Sequence, residues 1–197
     1  MLVEAGKEHP NATVYVACIE TEAGLVLHQT LMKDCGMPRF EKAKPEDAKT
    51  LALVSGRAFD NDVHYGAPGK GGPPGYKSDM WQIRMMARSH YYKILLDGNC
   101  THLIGGFIVF QNAFGDCELG RIFIDPEYQN QGIGTQAMAF MDHAFPEARR
   151  WTLGTPLWNL RTQHFYEKAG YVKIGMEGSD GVRYEKRMAN QGEASGI

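Results

Sequence analysis

The chain has 197 residues, of which 43% are apolar and 22% are charged, and its 21 Lys and Arg nearly balance its 23 Asp and Glu. This length and apolar content predict one domain with a sizeable core and argue against a disordered chain. The formal net charge of -2 argues against a dedicated nucleic-acid binder, which normally carries a strong basic excess.

The first 37 residues form a predicted N-terminal extension. Two β-branched or apolar runs, residues 13–19 and 25–28, flank a polar stretch at residues 20–24. This spacing favours a β-hairpin, with an amphipathic helix as the alternative. Three roles for the extension are open: adding a strand to a sheet edge, pairing with a second subunit, or covering a binding site.

The next segments predict one strand and two helices around a glycine-rich loop. A short strand at residues 39–43 precedes Pro45, which suits the first position of a helix. Residues 66–75 consist largely of Gly and Pro and therefore predict a long loop. A second helix is expected to begin at Ser78, a favoured N-cap residue, and to end near residue 90.

Consecutive hairpins are predicted in the middle of the chain. Short turn sequences at residues 97–99 and 112–116 separate three strand-like runs, so this part of the sheet is expected to be antiparallel. The predicted strands are residues 91–96, 101–111 and 117–124.

Helices and strands alternate after Asp125-Pro126, and a flexible tail is expected at residues 189–197. The domain at residues 38–188 is therefore predicted to be α+β, with a mixed, mostly antiparallel central sheet flanked by helices. The predicted helices are residues 132–144 and 159–169, and the predicted strands are residues 151–157, 171–176 and 182–188.

The most informative segment joins a strand to a helix. The strand ends at Asp125-Pro126, and Gln131-Gly-Ile-Gly134 opens the helix that follows. Backbone N–H groups at a glycine-rich helix N-terminus bind phosphate or pyrophosphate, although simple turn chemistry is the alternative. Neither a Gly-Lys-Ser/Thr sequence nor the G-x-G-x-x-G spacing is present, which excludes a P-loop and a dinucleotide fingerprint.

Two motifs carry a resemblance to a known family. Gln129-x-x-Gly132-x-Gly134, placed after residues 122–128, resembles the acetyl-coenzyme A pyrophosphate motif of the GNAT superfamily of N-acetyltransferases. Residues 159–171 resemble the second signature of the same family at its usual distance downstream. The resemblance covers roughly residues 38–188 and implies the GNAT-like acyl-CoA N-acyltransferase fold.

The resemblance also implies a function. Such an enzyme transfers an acetyl group from acetyl-CoA, its co-substrate, to a primary amine of a small molecule or peptide. The amine attacks the thioester directly within a ternary complex. A non-catalytic acyl-CoA-binding sensor or interaction module is the alternative, because the glycine motif identifies the coenzyme and not the reaction.

The coenzyme-binding residues follow from the same resemblance. The glycine loop would hold the pyrophosphate, and the pantetheine arm would pair with the preceding strand as an added strand. Gly120 in mid-strand predicts either a bulge or a packing glycine, and in the family a bulge here opens a slot beside the next strand. The implied coenzyme-binding residues are Ile122, Phe123, Ile124, Gln129, Asn130, Gln131, Gly132, Ile133, Gly134, Thr135, Asn159 and Tyr166.

Tyr166 is the candidate catalytic acid. Asn159 and Tyr166 are seven residues apart, nearly two helical turns, and so share a helix face. The resemblance implies that the Tyr166 hydroxyl protonates the departing thiolate and that Asn159 binds the coenzyme. From the residues alone, a core aromatic at Tyr166 and a plain helix N-cap at Asn159 remain open.

Glu118 is the candidate general base, with Asp116 as a neighbouring candidate. An acceptor ammonium must lose a proton before its nitrogen attacks, and a carboxylate whose neighbours raise its pKa is the usual device. Glu118 begins the strand that leads to the glycine motif, where some family members carry a catalytic glutamate. A solvated strand-end carboxylate is the alternative, and residues 152–158 contain no acid.

Aromatic side chains flank the glycine-rich loop at residues 66–75, where family members bind their acceptor. These residues are Tyr65, Tyr76 and Trp81. They are candidates for shaping an amine pocket, with ordinary core packing as an equal alternative for Trp81.

The remaining side chains predict no metal site and a cytoplasmic protein. The four Cys show no CxxC spacing and the seven His show no i,i+4 pairing. No secretory signal pattern is found, and the longest apolar run, residues 103–110, is shorter than the roughly 20 residues that span a bilayer.

The predicted partners are acetyl-CoA and an amine acceptor, without nucleic acid or membrane. The resemblance favours a homodimer, which the residues leave undecided.

Overall fold

A computed structural model describes residues 36–97 and 101–188. The candidate N-terminal hairpin, the predicted tail and residues 98–100 lie outside this described part. Within it, seven strands and four α-helices confirm the α+β prediction. In chain order they are β1 Pro38–Lys42, α1 Ala48–Asp60, α2 Asp79–Met86, β2 His90–Leu96, β3 His102–Gln111, β4 Asp116–Ile124, α3 Ile133–Ala144, β5 Arg150–Pro156, α4 Leu160–Lys168, β6 Val172–Glu177 and β7 Gly181–Arg187.

The strands form one sheet in the order β1-β2-β3-β4-β5-β7-β6. Every neighbouring pair is antiparallel except β4 and β5, which are parallel because the chain crosses over through α3. The mixed, mostly antiparallel sheet is therefore confirmed. The parallel pair lies in the middle of the sheet, directly before and after the segment that carries the glycine motif.

Helices cover both faces of the sheet. On one face, Leu51 and Val54 of α1 pack with Tyr91, Ile108 and Phe123 of the strands. This face is called the α1 face below, and α2 also packs on it through Trp81.

The opposite face is called the α3 face. Phe140 of α3 packs against Phe107 and Tyr92 there. Helix α4 covers the same face further along the sheet, where the Tyr184 hydroxyl donates a hydrogen bond to Glu167 at 2.9 Å. Residues that alternate along each strand thus point to two separate cores.

The second helix is shorter than predicted. Ser78 is its N-cap, as expected, and its hydroxyl accepts the Trp81 N–H at 3.2 Å. The helix ends at Met86, however, and not near residue 90. His90 belongs to β2, where it pairs with Val109 of β3, and the predicted strand from Tyr91 is confirmed. Sheet pairing here outweighs local helix propensity.

The predicted loop at residues 66–75 is confirmed. Gly66 and Gly75 both have positive φ values, +100° and +76°, which side chains rarely adopt. The loop leads from a short 3-10 turn, Asn61–Tyr65, to α2 on the α1 face. None of the helices in the described residues is long and apolar enough to cross a membrane.

Candidate active site

A bulge at Gly120 interrupts β4. Ile108 of β3 pairs with Arg121 while its neighbour Val109 pairs with Leu119, so Gly120 is the extra residue. A Cβ atom at this position would lie 2.5 Å from the Phe110 ring, which explains why glycine is needed. The bulge predicted from the sequence is therefore present.

Strands β4 and β5 separate at this bulge. They pair over only four positions, residues 116–119 with residues 150–153. Beyond these positions, residues 120–124 have no strand partner on the β5 side within the described residues. The result is a gap in the middle of the sheet, lined on one side by an unpaired strand edge that offers backbone donors and acceptors.

The glycine loop lies at the end of that edge. Gly132 has a φ of +77° and serves as the N-cap of α3, and no side chain caps this helix. Asn130 also has a positive φ, at +60°, which is uncommon for a residue other than glycine. An uncapped helix N-terminus preceded by a left-handed residue leaves backbone N–H groups free to bind an anion, because they converge on one point.

The loop is held in place by the end of β4. Asp125 is buried and forms an ion pair with Arg57 of α1. The Gln129 side chain donates a hydrogen bond to the carbonyl of Ile124 at 2.8 Å. These contacts fix the distance between the strand edge and the glycine loop.

A cluster around Arg161 connects the loop to α4 and to the turn after α1. Arg161 donates to the Gln129 side chain at 2.6 Å and pairs with Asp62 at 3.2 Å. Its guanidinium lies 3.7 Å from the centre of the Tyr65 ring. Burial raises the pKa of Asp62, and the charge of Arg161 opposes that rise. Sequence reasoning did not find Asp62 or Arg161, because the two residues are separated by 99 positions and match no local pattern.

Asn159 is the N-cap of α4. Its side chain accepts the Thr162 N–H at 3.2 Å and is almost fully buried. The N-cap alternative considered from the sequence is therefore realised, and it fixes where α4 begins. A coenzyme contact for Asn159 stays a prediction.

Tyr166 lies on the α3 face within an aromatic cluster. Its ring centre is 6.1 Å from that of Tyr171 and 6.4 Å from that of Tyr184. Burial raises the pKa of Tyr166, and the negative charge of Asp62 raises it further. The phenol therefore stays protonated over the physiological range and is available as a proton donor.

Glu118 lies on the α1 face at the start of the gap. It borders a cleft of 380 Å³ whose lining includes Phe110, Thr152 and Arg183. The Glu118 side chain is 44% exposed and accepts a hydrogen bond from Arg183 at 2.9 Å. The surroundings of the Glu118 carboxylate are therefore charged and not apolar.

Asp116, the second acidic candidate, is paired in the same way. Its carboxylate accepts a hydrogen bond from Arg150 at 2.7 Å, which lowers the pKa of Asp116. A carboxylate whose pKa is lowered in this way is a weaker base.

The described residues contain no group of three or more His, Cys, Asp or Glu side chains arranged for a metal ion.

The predicted site residues lie on both faces of the sheet. The glycine loop, Asn159 and Tyr166 lie on the α3 face, whereas Glu118 lies on the α1 face. Proton donor and proton acceptor candidates are separated by the sheet except where β4 and β5 part.

Comparison with known proteins identifies similar chains and folds. The model of the acetyltransferase (GNAT) family matches residues 63–171. The uncharacterized protein YrkN of Bacillus subtilis is 27% identical over 143 residues, which cover 72% of this chain and 70% of that protein.

Two solved structures illustrate the shared fold. PaiA N-acetyltransferase of Thermoplasma acidophilum, in complex with coenzyme A, superposes with a TM-score of 0.63 and 19% identity, covering 77% of this chain and 99% of that chain. The ribosomal-protein-S18-alanine N-acetyltransferase of Escherichia coli gives a TM-score of 0.59 and 15% identity, covering 82% and 100%.

Proposed function

Because the chain belongs to the acetyltransferase (GNAT) family, we propose that it transfers an acetyl group from acetyl-CoA to a primary amine of a small molecule or peptide. The observation that carries the proposal is the unpaired edge of β4, which leads from the Gly120 bulge to the uncapped N-terminus of α3. A related fold in complex with coenzyme A supports it.

The coenzyme would bind along this edge. Backbone N–H groups of residues 131–134 would hold the pyrophosphate, because they converge at a helix N-terminus. The pantetheine arm would pair with the backbone of residues 122–124 as an added strand. Gln129 fixes the loop against the strand, and Asn130, Ile133, Thr135, Asn159 and Tyr166 complete the proposed site.

Catalysis would use one residue from each side of the gap. Glu118 would accept a proton from the acceptor ammonium, directly or through water, and the freed amine would attack the thioester carbonyl. Backbone N–H groups of β4 would stabilise the oxyanion. As the carbon–sulfur bond breaks, Tyr166 would donate its proton to the thiolate. The nitrogen passes its second proton through water to the Tyr166 phenolate, which restores the phenol, and Glu118 releases the first proton to solvent, so the protons balance.

A coenzyme-binding sensor without turnover is the second candidate. It would need the glycine loop and the strand edge, but neither Tyr166 nor a base. The presence of Tyr166 favours the enzyme, because a sensor needs no proton donor. A cytoplasmic location and a homodimer stay predictions.

Calorimetric titration with acetyl-CoA, followed by thiol release with a set of primary amines, tests the function. We expect binding and amine-dependent thiol release by the parent protein. Tyr166→Phe should keep the coenzyme affinity and lower kcat about a hundredfold or more, because it lacks the proton donor. Tyr92→Phe is the matched control, since Tyr92 lies in the core beside α3 and away from the gap.

The outcomes separate the candidates. Binding without thiol release from any amine would favour the sensor. Equal turnover by Tyr166→Phe and the parent would remove the proposed role of Tyr166. Failure of acetyl-CoA to bind would refute both functions.

A further inference from the structure

The bulge at Gly120 turns Arg121 towards the α1 face. Before the bulge, Cys117 and Leu119 point to the α3 face, since they pair with Trp151 and Leu153 of its core. Strict alternation would place Arg121 on that face as well. The extra residue shifts the pattern, so Arg121 instead pairs with Ile108 of the α1-face core.

The Arg121 guanidinium is buried without a full set of partners. The residue is only 8% exposed, and its Nη2 donates one hydrogen bond, to the Pro74 carbonyl at 3.1 Å. Its Nε and Nη1 atoms have no hydrogen-bond partner within the described residues. Buried N–H groups are rarely left unpaired, because losing water without gaining a partner is costly.

The charge of Arg121 also lacks a counter-ion. Arg161 and Arg183, which are less buried, each have a carboxylate within 4 Å, but Arg121 has none in the part of the chain that the structure describes. Burial lowers the pKa of Arg121 to about 10, so the side chain still carries its charge near neutral pH. A buried cation of this kind is compensated by an anion in proteins.

Two rings and a backbone carbonyl surround the Arg121 guanidinium. It stacks over Trp81 at 4.0 Å, and Phe59 lies 5.7 Å away, so its flat faces are covered. The carbonyl of Pro74, in the glycine-rich loop, covers one edge. Binding of an anion at this edge therefore requires the part of the loop that carries Pro74 to move aside.

Arg121 is next to the proposed reaction centre. It directly follows the bulge and precedes Ile122, where the coenzyme arm is proposed to begin pairing. The coenzyme loop lies on the α3 face, so an acceptor must reach the gap from the α1 face, onto which Arg121 projects. An anionic group on the acceptor would thereby be held beside the thioester.

We propose that Arg121 is a specificity-determining residue that binds a carboxylate of the acceptor, so that the acceptor class is an amine that also carries a carboxylate. This rests on the proposed function. With the Pro74 carbonyl moved aside, Nη2 together with either Nε or Nη1 presents two parallel N–H groups that match the two oxygens of a carboxylate, a geometry that a lysine or an amide does not reproduce.

Binding of glutarate to the coenzyme-A-loaded protein tests the site without any turnover. We expect titration calorimetry to detect glutarate binding to the parent and a loss of affinity of about ten- to a hundredfold in Arg121→Gln, the usual range for a charge-assisted pair. Arg187→Gln, which changes the charge equally at an exposed position, should bind glutarate as the parent does. Arg121→Lys keeps the charge but not the planar fork, and it replaces Arg121→Gln in the test if that variant does not fold.

Matched amines extend the test to specificity. The parent should use 5-aminopentanoate with a kcat/KM at least tenfold above that for pentylamine, and Arg121→Gln should lose this preference through a higher KM for 5-aminopentanoate. If Arg121 had a purely structural role, Arg121→Gln would change kcat/KM for both amines alike.

Three results would overturn the proposal: no glutarate binding by the parent, equal affinity in the parent and in both Arg121 variants, or Arg121-dependent binding of inorganic phosphate in place of glutarate. Absence of thiol release from every amine would instead count against the proposed function, since the glutarate result does not depend on it.

Discussion

Two carboxylates, Glu118 and Asp62, can be compared as general bases, and they differ in their surroundings. Glu118 is 44% exposed and shares Arg183 with Glu177. The Asp62 side chain is 13% exposed, and burial raises its pKa. Glu118 borders the open cleft and so can be reached by an acceptor, whereas Asp62 is held by Arg161 within the cluster that fixes Gln129. Accessibility favours Glu118 as the base.

Glu118→Gln is therefore expected to lower kcat/KM by at least a hundredfold, the lower end of the range for general base catalysis. The reason is that an amide cannot accept the proton of the acceptor ammonium. Steady-state rates of the parent and of Glu118→Gln with the same amine acceptor measure the effect.

Asp62→Asn is the comparison variant. We expect it to retain most of the kcat/KM of the parent, because Asp62 supports Arg161 and does not take the proton. If Glu118→Gln kept the activity of the parent and Asp62→Asn lost it, the role of base would move to Asp62. The activity of the parent should then rise with pH through a midpoint above the ordinary range for Asp, because burial raises the pKa of Asp62.

Residues with local chemistry were predictable from the sequence, and residues that depend on distant contacts were not. The left-handed conformation of Gly132 and the N-cap role of Asn159 follow from short motifs. The pairing of Arg161 with Asp62 depends on the fold of the entire domain. Arg121 was missed for a different reason: its direction depends on one extra residue in β4, which reverses the alternation that a strand pattern assumes.

At the level of elements, β4 determines the shape of the site. Its first half pairs with β5, and its second half does not, with Gly120 at the change. The sequence indicated this bulge through a glycine in the middle of a predicted strand. The end of α2 was predicted less well, because pairing of β2 with β3 sets that boundary and has no local signal.

Gly120→Val tests the contribution of the bulge. The new side chain would overlap the Phe110 ring and favour regular pairing, which should cost about 1–3 kcal/mol of stability and weaken coenzyme binding as the gap narrows. Thermal unfolding and calorimetric titration measure the two effects. Gly69→Val is the control, because a Cβ atom at Gly69 has no neighbour within 4 Å.

A second substitution distinguishes overlap from pairing. Phe110→Ala combined with Gly120→Val removes the ring that the valine meets. If this double variant recovers stability but not coenzyme affinity, the loss of binding is caused by the altered strand and not by the overlap with Phe110. If Gly120→Val bound the coenzyme as tightly as the parent, the bulge would not be needed for the proposed site.

The sheet as a whole is joined weakly at its centre. Strands β1–β4 and β5–β7 meet through the four residue pairs between β4 and β5. The ion pair of Asp62 with Arg161 adds a second link, from the turn after α1 to α4. A ligand that pairs with the free edge of β4 would therefore stabilise the part of the sheet that has the fewest backbone partners.

Coenzyme A at a hundredfold excess over its Kd should raise the free energy of unfolding by about 2.7 kcal/mol, because it binds only the folded chain. For a chain of this length that corresponds to a Tm increase of roughly 5–11 °C. Amide hydrogen exchange should slow in residues 122–124, where the arm pairs with β4, and in residues 131–135. ADP supplies the pyrophosphate without the arm, so it should protect residues 131–135 alone. Equal protection of residues 122–124 by ADP and coenzyme A would contradict pairing of the arm with this edge, because ADP has no group that reaches it.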